Sequence, residues 1–258
     1  MKLGLIQYAI TQNPSTNLAR VAHLLDRAAK RRPDYLILPE MWLGGPRTKS
    51  ERPAWNVFYA GALKNLRTWC RKKGIGCFFS QVEEGKKGIF YNTAYFIEKN
   101  GRIGGRYRKI HLFSLDGESR MVRAGRGAKP FKSGNRKIGC VICYDIRFPE
   151  LPRLLARLGA SILIVCAQWP EVRIEHWMTL LKARAIENQF FVAATNRLGV
   201  KGKNSYGGHS VVFDPWGKCL LHLPRTKEVG FVDIDLAKVN RIRKTYPFFS
   251  DCAISPIK

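Results

Sequence analysis

The sequence lacks any apolar run of membrane-spanning length, since no stretch approaches the roughly 18 consecutive apolar residues that a span needs. The first residues, Met1–Tyr8, show a strand pattern at once. They lack the long apolar core and the small-residue cleavage site of a signal peptide. We therefore expect a protein that works in the cytoplasm.

Disulfide and metal-ligand patterns are also missing. The chain has seven cysteines, an odd number, which argues against a disulfide framework. Cys140 and Cys143 are three positions apart, and such positions of an extended strand point to opposite faces, so the pair is badly placed to chelate a metal. The five histidines include no two at zinc-ligand spacing. We expect neither a structural metal nor a cofactor.

Acidic residues are scarce. The chain has 19 Asp and Glu against 45 Lys and Arg, which gives a net charge of +26. Such a balance raises nucleic acid or another anionic surface as a partner. The basic residues are spread along the chain, however, with clusters at 30–32, 71–73 and 106–109, and no nucleic-acid motif accompanies them. We expect a solvated basic surface rather than specific nucleic-acid binding, while a preference for anionic substrates stays open.

What the sequence does contain is a strand that leads into a helix through a cysteine. Lys137–Ile142 is a short apolar run with β-branched residues, which predicts a buried strand. Phe148–Leu158 predicts a helix, with Pro149 in its first turn and Gly159 at its end. Cys143 therefore stands at a sheet edge, where a nucleophile is rigidly held and reachable. From this stretch alone, a buried core cysteine is about equally favoured.

Three other segments carry charged residues beside strand patterns. Asp34–Glu40 is a short apolar strand that ends in Pro-Glu, Tyr107–Phe113 contains Lys109, and Glu118 stands in a polar loop. Together with Cys-Tyr-Asp-Ile-Arg-Phe-Pro-Glu-Leu at 143–151, they resemble, in the same order, the motifs of the nitrilase superfamily, the carbon–nitrogen hydrolases. Any one motif is weak, but the ordered set is specific.

The resemblance extends from Leu3 to about Phe249 and includes Ala183–Asn188 and His209–Gly217. It implies a four-layer αββα sandwich with two sheets face to face. The alternation of strand and helix patterns in both halves agrees with a layered α/β fold. No linker or low-complexity segment interrupts the chain, so we expect residues 1–258 to form a single carbon–nitrogen hydrolase domain.

The resemblance also implies chemical roles. Cys143 is the nucleophile that attacks an amide carbonyl, and Glu40 is the general base that takes its proton and later activates water. Lys109 and the backbone N–H of Tyr144 stabilise the oxyanion. Glu118 orients Lys109 or the substrate nitrogen.

Other patterns place the remaining elements. Asn100-Gly101 between two strand patterns predicts a hairpin. His111–Gly127 predicts a long loop that lines the site, and Arg197–Gly208 predicts an irregular Gly-rich loop. Helices are predicted over Pro14–Arg31, Ala54–Lys72 and Ile174–Asn188.

The stretch Ala167–Trp177 most resembles the ω-amidase-type branch, whose members hydrolyse the distal amide of short 2-oxo acids such as 2-oxoglutaramate. Deaminated-glutathione amidases share the His-Ser-x-x-x-Asp-Pro-Trp-Gly segment, and a nitrilase would use the same triad, so both stay open. A non-catalytic nucleic-acid-binding or scaffold protein is a further alternative, which only the charge supports.

A small acidic substrate needs a cation for its far carboxylate. Arg173 follows a predicted strand and is expected to supply it, while Trp169 and Tyr144 are expected to wall the pocket. An equally favoured alternative is that Arg173 merely caps a helix or pairs with Glu171 or Glu175 on the surface.

The family commonly forms dimers, and the sequence offers two apolar stretches for such a contact. These are Phe148–Leu151 and Tyr246–Phe249. Exposed aromatic surface of this kind is otherwise a liability, so we expect at least a homodimer.

Overall fold

The computed structural model describes residues 1–249 and 251. Its strands are β1 (Lys2–Ile6), β2 (Tyr35–Ile37), β3 (Gly76–Glu84), β4 (Phe90–Ile97), β5 (Ile103–Arg108), β6 (Phe131–Ser133), β7 (Arg136–Ile142), β8 (Ile162–Ala167), β9 (Phe191–Asn196), β10 (Leu198–Lys201), β11 (Asn204–Gly207), β12 (Val211–Phe213), β13 (Cys219–His222) and β14 (Val229–Asp233). Its α-helices are α1 (Pro14–Ala29), α2 (Arg52–Lys73), α3 (Glu118–Met121), α4 (Glu150–Arg157), α5 (Ile174–Asn188) and α6 (Ala237–Thr245).

The first sheet has the strand order β14-β1-β2-β3-β4-β5. β1, β2 and β3 are parallel, whereas β4 is antiparallel to β3 and β5 is antiparallel to β4. β5 therefore runs in the same direction as β2. Glu40, shortly after β2, and Lys109, directly after β5, lie at the same edge of this sheet as a result.

The second sheet has the order β13-β12-β9-β8-β7-β6, with β7, β8 and β9 parallel. The carboxyl ends of its parallel strands lead into Cys143, Gln168 and Arg197. Ligand sites of α/β sheets form outside such strand ends. The carboxyl ends of β2 and β5 in the first sheet and of β7, β8 and β9 in the second therefore meet at one place.

The layers follow from the two apolar clusters. One cluster joins inward-facing residues of both sheets, such as Leu5 and Ile37 from the first and Ile164 from the second, and it includes residues of α4 and α5. The other joins α1 and α2 to the outer face of the first sheet. The predicted four-layer αββα sandwich is confirmed. Among the described residues, no helix combines the length and the hydropathy of a membrane-spanning helix.

The prediction of an irregular loop over Arg197–Gly208 was wrong. β10 and β11 form an antiparallel hairpin there, with Leu198 opposite Gly207 and Lys201 opposite Asn204. Gly202 makes the turn with a φ of 59°, a left-handed conformation that favours glycine. Gly202 is in the turn and Gly208 follows β11, whereas Gly199 and Gly207 lie within the strands without breaking them.

The apolar surface expected at Phe148–Leu151 also needs correction. Leu151 is buried at 5% exposure, because it faces the second sheet, and the Phe148 ring stacks on His111 with ring centres 3.8 Å apart. Leu154 and Leu158 of the same helix are instead 40% exposed. The stretch near Tyr246 does offer apolar surface, since Phe248 is 61% exposed.

Candidate active site

Cys143 is the first residue of a short 3₁₀ turn that follows β7 directly. Its φ is +46°, a conformation that costs a non-glycine residue free energy and is concentrated at functional sites. The fully buried Asp145 closes this turn by accepting a hydrogen bond from the Ile142 N–H at 3.0 Å. The sulfur is therefore held at the strand end, as the sequence predicted.

Asp145 also connects the nucleophile turn to the segment that carries Lys109. It accepts hydrogen bonds from the Tyr107 hydroxyl at 2.8 Å and from the His111 N–H at 3.0 Å. The His111 Nδ1 atom lies 2.9 Å from the same carboxylate. His111 is thus a structural hydrogen-bonding residue, and Asp145 fixes two site segments relative to each other.

Lys109 is held between the two predicted carboxylates. Its Nζ atom lies 2.9 Å from Glu40 Oε1 and 2.8 Å from Glu118 Oε2. Lys109 is only 2% exposed. Burial opposes its charge, but Glu40 and Glu118 outweigh this effect and hold the pKa of Lys109 well above its ordinary value. Burial likewise opposes the charge of Glu118, yet Lys109 and Asn92 keep its pKa below the usual range.

Asn92 of β4 completes this arrangement, and sequence reasoning missed it. Its Nδ2 atom donates to Glu40 Oε1 at 2.8 Å and to Glu118 Oε1 at 3.0 Å. It therefore holds both carboxylates against Lys109. A signal was present, because Asn92 is a fully buried amide within the mostly apolar strand Phe90–Ile97, and buried polar groups need partners.

Gln168 connects Glu40 to Cys143 and was also missed by sequence reasoning. Its backbone N–H donates to Glu40 Oε2 at 3.0 Å, and its side-chain amide donates to the Glu40 carbonyl at 2.9 Å. The Cys143 thiol donates to the Gln168 carbonyl at 3.7 Å. Gln168 thus orients Oε2 of Glu40, while Asn92 and Lys109 orient Oε1. The Cys143 thiol points at the same strand end.

The surroundings of Cys143 favour its thiol over its thiolate. Burial and the charge of Glu40 raise the pKa of Cys143 well above its ordinary value, and Lys109 opposes this only in part. Glu40, which Gln168 and Lys109 orient, is the carboxylate that this arrangement offers as a base for the thiol.

These side chains line a cavity of about 640 Å³, a size typical of small-molecule sites. We call the residues that surround the Lys109 ammonium and the Cys143 sulfur the floor of the cavity: Glu40, Asn92, Lys109, Glu118, Cys143 and Gln168. Tyr144, Trp169 and Arg173 line its wall, as predicted. No three His, Cys, Asp or Glu side chains converge on a metal position in the part of the chain that the structure describes.

Arg173 is not paired with either neighbouring glutamate. Its guanidinium lies over the Phe113 ring at 5.5 Å, and no carboxylate within residues 1–249 and 251 forms an ion pair with it. Glu171 contacts His209 instead, at 3.3 Å. The surface-pairing alternative for Arg173 is wrong. Arg173 does occupy the N-cap position of α5, but its side chain makes no capping hydrogen bond and lines the cavity instead.

A second cation of the cavity wall, Arg197, was not predicted. It is 2% exposed and donates to the carbonyls of Ile10 and Leu198. Its Nη1 atom lies 3.5 Å from Gln168 Oε1. Desolvation by burial lowers the pKa of Arg197.

Comparison with known proteins identifies the family. The family model described as carbon–nitrogen hydrolase matches residues 2–244. A 2-oxoglutaramate amidase of Bacillus subtilis is 36% identical over 250 residues, 96% of either chain, and a deaminated glutathione amidase of Dictyostelium discoideum is 34% identical over 96% of this chain and 92% of its own. The crystal structure of a carbon–nitrogen hydrolase from Helicobacter pylori superposes with a TM-score of 0.91 at 26% identity, covering 98% of this chain and 95% of that one. With its sandwich and its buried Glu-Lys-Cys site, the chain belongs to the carbon–nitrogen hydrolase family.

Proposed function

We propose that this enzyme hydrolyses the distal carboxamide of a short 2-oxo acid of the 2-oxoglutaramate type to a carboxylate and ammonia. The observation that carries the proposal is the cavity itself. At its floor, Lys109 forms ion pairs with Glu40 and Glu118. At its wall, Arg173 forms no ion pair with a described residue. The similarity to a 2-oxoglutaramate amidase supports the same substrate class.

In the first half-reaction, Glu40 takes the thiol proton as Cys143 attacks the amide carbonyl. The carbonyl oxygen becomes an oxyanion, which the Lys109 ammonium and the Tyr144 N–H stabilise. Glu40 then passes the proton to the departing nitrogen, so that ammonia leaves and a thioester on Cys143 remains. Glu118 and Asn92 keep Lys109 and Glu40 in place throughout.

In the second half-reaction, Glu40 removes a proton from water, which attacks the thioester carbonyl. The same two donors stabilise the second oxyanion, and the proton returns to the sulfur as the carboxylic acid leaves. The cycle restores the thiol, which is the form that the raised pKa of Cys143 favours.

At the other end of the cavity, Arg173 holds the substrate carboxylate through two parallel hydrogen bonds. Trp169 donates from Nε1 to the Arg173 carbonyl at 2.7 Å, which fixes the backbone of that residue. The rings of Tyr144 and Phe113, 5.0 Å apart, form an apolar side for the carbon chain.

A second candidate is amide hydrolysis in deaminated glutathione. Two observations favour it: a cavity of about 640 Å³ has room for more than a five-carbon acid, and a relative at 34% identity carries that name. A nitrile substrate would be attacked by the same floor residues.

Ammonia release separates these candidates. The panel contains 2-oxoglutaramate, glutamine, an uncharged aliphatic amide, deaminated glutathione and an aliphatic nitrile. We expect the largest kcat/KM for 2-oxoglutaramate. A larger value for deaminated glutathione moves the assignment to that activity, and turnover of the nitrile alone contradicts both amidase assignments.

We also propose that residues 1–258 act as one catalytic domain in a cytoplasmic homodimer. The exposed apolar side chains Leu154, Leu158, Ile186, Trp216 and Phe248 support the dimer. The ring centres of Trp216 and Tyr246 are 5.0 Å apart, and those of Tyr246 and Phe248 are 5.8 Å apart, so these rings form one patch. Sedimentation at micromolar protein concentration tests the dimer, and the presence of monomer alone contradicts it.

A further inference from the structure

Basic charge is concentrated at the edge of the first sheet that lies opposite the active site. Three segments reach this edge: 26–34 at the end of α1, 67–73 at the end of α2 and 98–102 in the β4–β5 turn. They contain four, four and two Lys or Arg, but only three Asp or Glu in all. We call these three segments the basic edge, and nearly half of its residues are cationic.

Contacts show that the basic edge is one surface. Lys73 Nζ lies 3.3 Å from Asp26 Oδ1, which joins the ends of α2 and α1. Arg67 Nε donates to the Gly101 carbonyl at 2.9 Å, which joins α2 to the β4–β5 turn. β2 and β3 begin at this edge and β4 ends there. The cavity floor follows the opposite strand ends, at most about 20 Å away, since Asp34 and Glu40 lie six residues apart at roughly 3.3 Å per residue.

Most of these cations form no ion pair in the part of the chain that the structure describes. The exceptions are Lys73 with Asp26, Lys99 with Asp34 and Arg27 with Glu228. Helix C-termini favour cations, but each helix dipole contributes only roughly half a negative charge there. This is too little to balance the remaining cations. Within residues 1–249 and 251, no ion pair forms at the exposed side chains of Lys30, Arg31, Arg32, Arg67, Arg71, Lys72 and Arg102.

We propose that the basic edge binds the phosphate backbone of nucleic acid without reading its sequence. Six of its ten cations are arginines, whose planar fork matches phosphate oxygens. No large apolar side chain of the three segments is exposed, so the surface has no anchor for a bilayer. It also has no exposed aromatic ring on which a base would stack, which limits binding to the backbone.

The test uses the full-length protein and a fluorescein-labelled DNA duplex of about 20 base pairs, followed by anisotropy from about 50 to 300 mM salt. The variant combines Arg31→Gln, Arg71→Gln and Lys72→Gln. Since each phosphate contact contributes about −0.9 to the slope of log K against log salt, the slope should become less steep by about 2.7. Ammonia release and the midpoint of thermal unfolding should not change, because the basic edge does not reach the cavity.

The matched control combines Arg225→Gln, Lys227→Gln and Lys244→Gln, three exposed cations outside the basic edge. It removes the same charge and should keep the wild-type slope. An equal decrease in the steepness of the slope in both variants overturns the proposal, because it means that the duplex is attracted diffusely to the whole surface. Absence of duplex binding at about 50 mM salt overturns it as well, and so does binding to phosphatidylserine vesicles in place of the duplex. None of these outcomes depends on the amidase assignment.

Discussion

The floor and the wall of the cavity differ in how their charges are compensated. At the floor, Lys109 contacts two carboxylates, and Asn92 and Gln168 orient those carboxylates further. At the wall, the Arg173 guanidinium lies over the face of the Phe113 ring and forms no ion pair with a carboxylate of the described residues. Both regions are lined by residues that follow strand ends, so this difference comes from side chains rather than from the fold.

From this difference we expect the floor to govern the reaction and the wall to govern substrate specificity. Buried charges with several partners stay in one geometry, which a positioned base and an oxyanion donor require. A guanidinium without a carboxylate is ready to bind one from a ligand. Changes at the floor should therefore lower kcat for every substrate, whereas changes at the wall should discriminate between acidic and neutral substrates.

The largest effect is expected for Cys143→Ala. This change removes only the sulfur, so turnover of every amide should disappear while the fold stays intact. Ammonia release and the midpoint of thermal unfolding measure the two effects. Cys219→Ala is the matched control, since Cys219 is an exposed thiol outside the cavity, and it should leave activity unchanged. Turnover retained in Cys143→Ala would remove the sulfur from its assigned role.

Glu118→Gln should have the next largest effect, a loss in kcat on the order of 10²-fold for acidic and neutral amides alike. The amide keeps hydrogen bonds but gives Lys109 one carboxylate instead of two. Steady-state kinetics on both substrates measure this loss. A loss confined to KM would contradict the assignment of Glu118 to the floor.

The same variant should alter the dependence of stability on pH. The folded-state pKa of Glu118 lies below its ordinary value of 4.5, so this carboxylate stabilises the fold above that pH. The stabilisation disappears as the pH falls through the lower, folded-state pKa. The unfolding midpoint of Glu118→Gln should therefore fall less steeply in acid than that of the wild type. Parallel curves would contradict a lowered pKa.

The sequence predicted the floor better than the residues that support it. Glu40, Lys109 and Cys143 stand in contiguous motifs, and each follows a strand pattern, so their order and strand-end positions were readable. Asn92 and Gln168 act through contacts between strands that are distant in sequence, and no local period encodes such contacts. The hairpin of β10 and β11 was misread because its glycines, one in the turn and two within the strands, resembled those of a loop.

Arg173→Ala should affect only acidic substrates. Loss of a charge-assisted contact should cost about 2–3 kcal/mol of transition-state stabilisation for 2-oxoglutaramate and little for an uncharged amide. The ratio of kcat/KM values for the two substrates measures this. Arg225→Ala, which removes one exposed cation outside the cavity, should leave the ratio unchanged. Equal losses on both substrates would place Arg173 outside carboxylate binding.

The smallest effect is expected for Trp169→Phe, which tests how rigid the wall must be. The change keeps an aromatic ring but removes the Nε1 hydrogen bond to the Arg173 carbonyl, 2.7 Å long in the native chain. A hydrogen bond of this kind contributes about 1 kcal/mol, so KM for 2-oxoglutaramate should rise up to about fivefold while kcat stays near the wild-type value. The uncharged amide should show no comparable rise, since Arg173 does not hold it. Combining Trp169→Phe with Arg173→Ala completes the argument, because the effect of Trp169→Phe should vanish once the guanidinium is absent. An undiminished effect in the double variant would mean that Trp169 contacts the substrate directly.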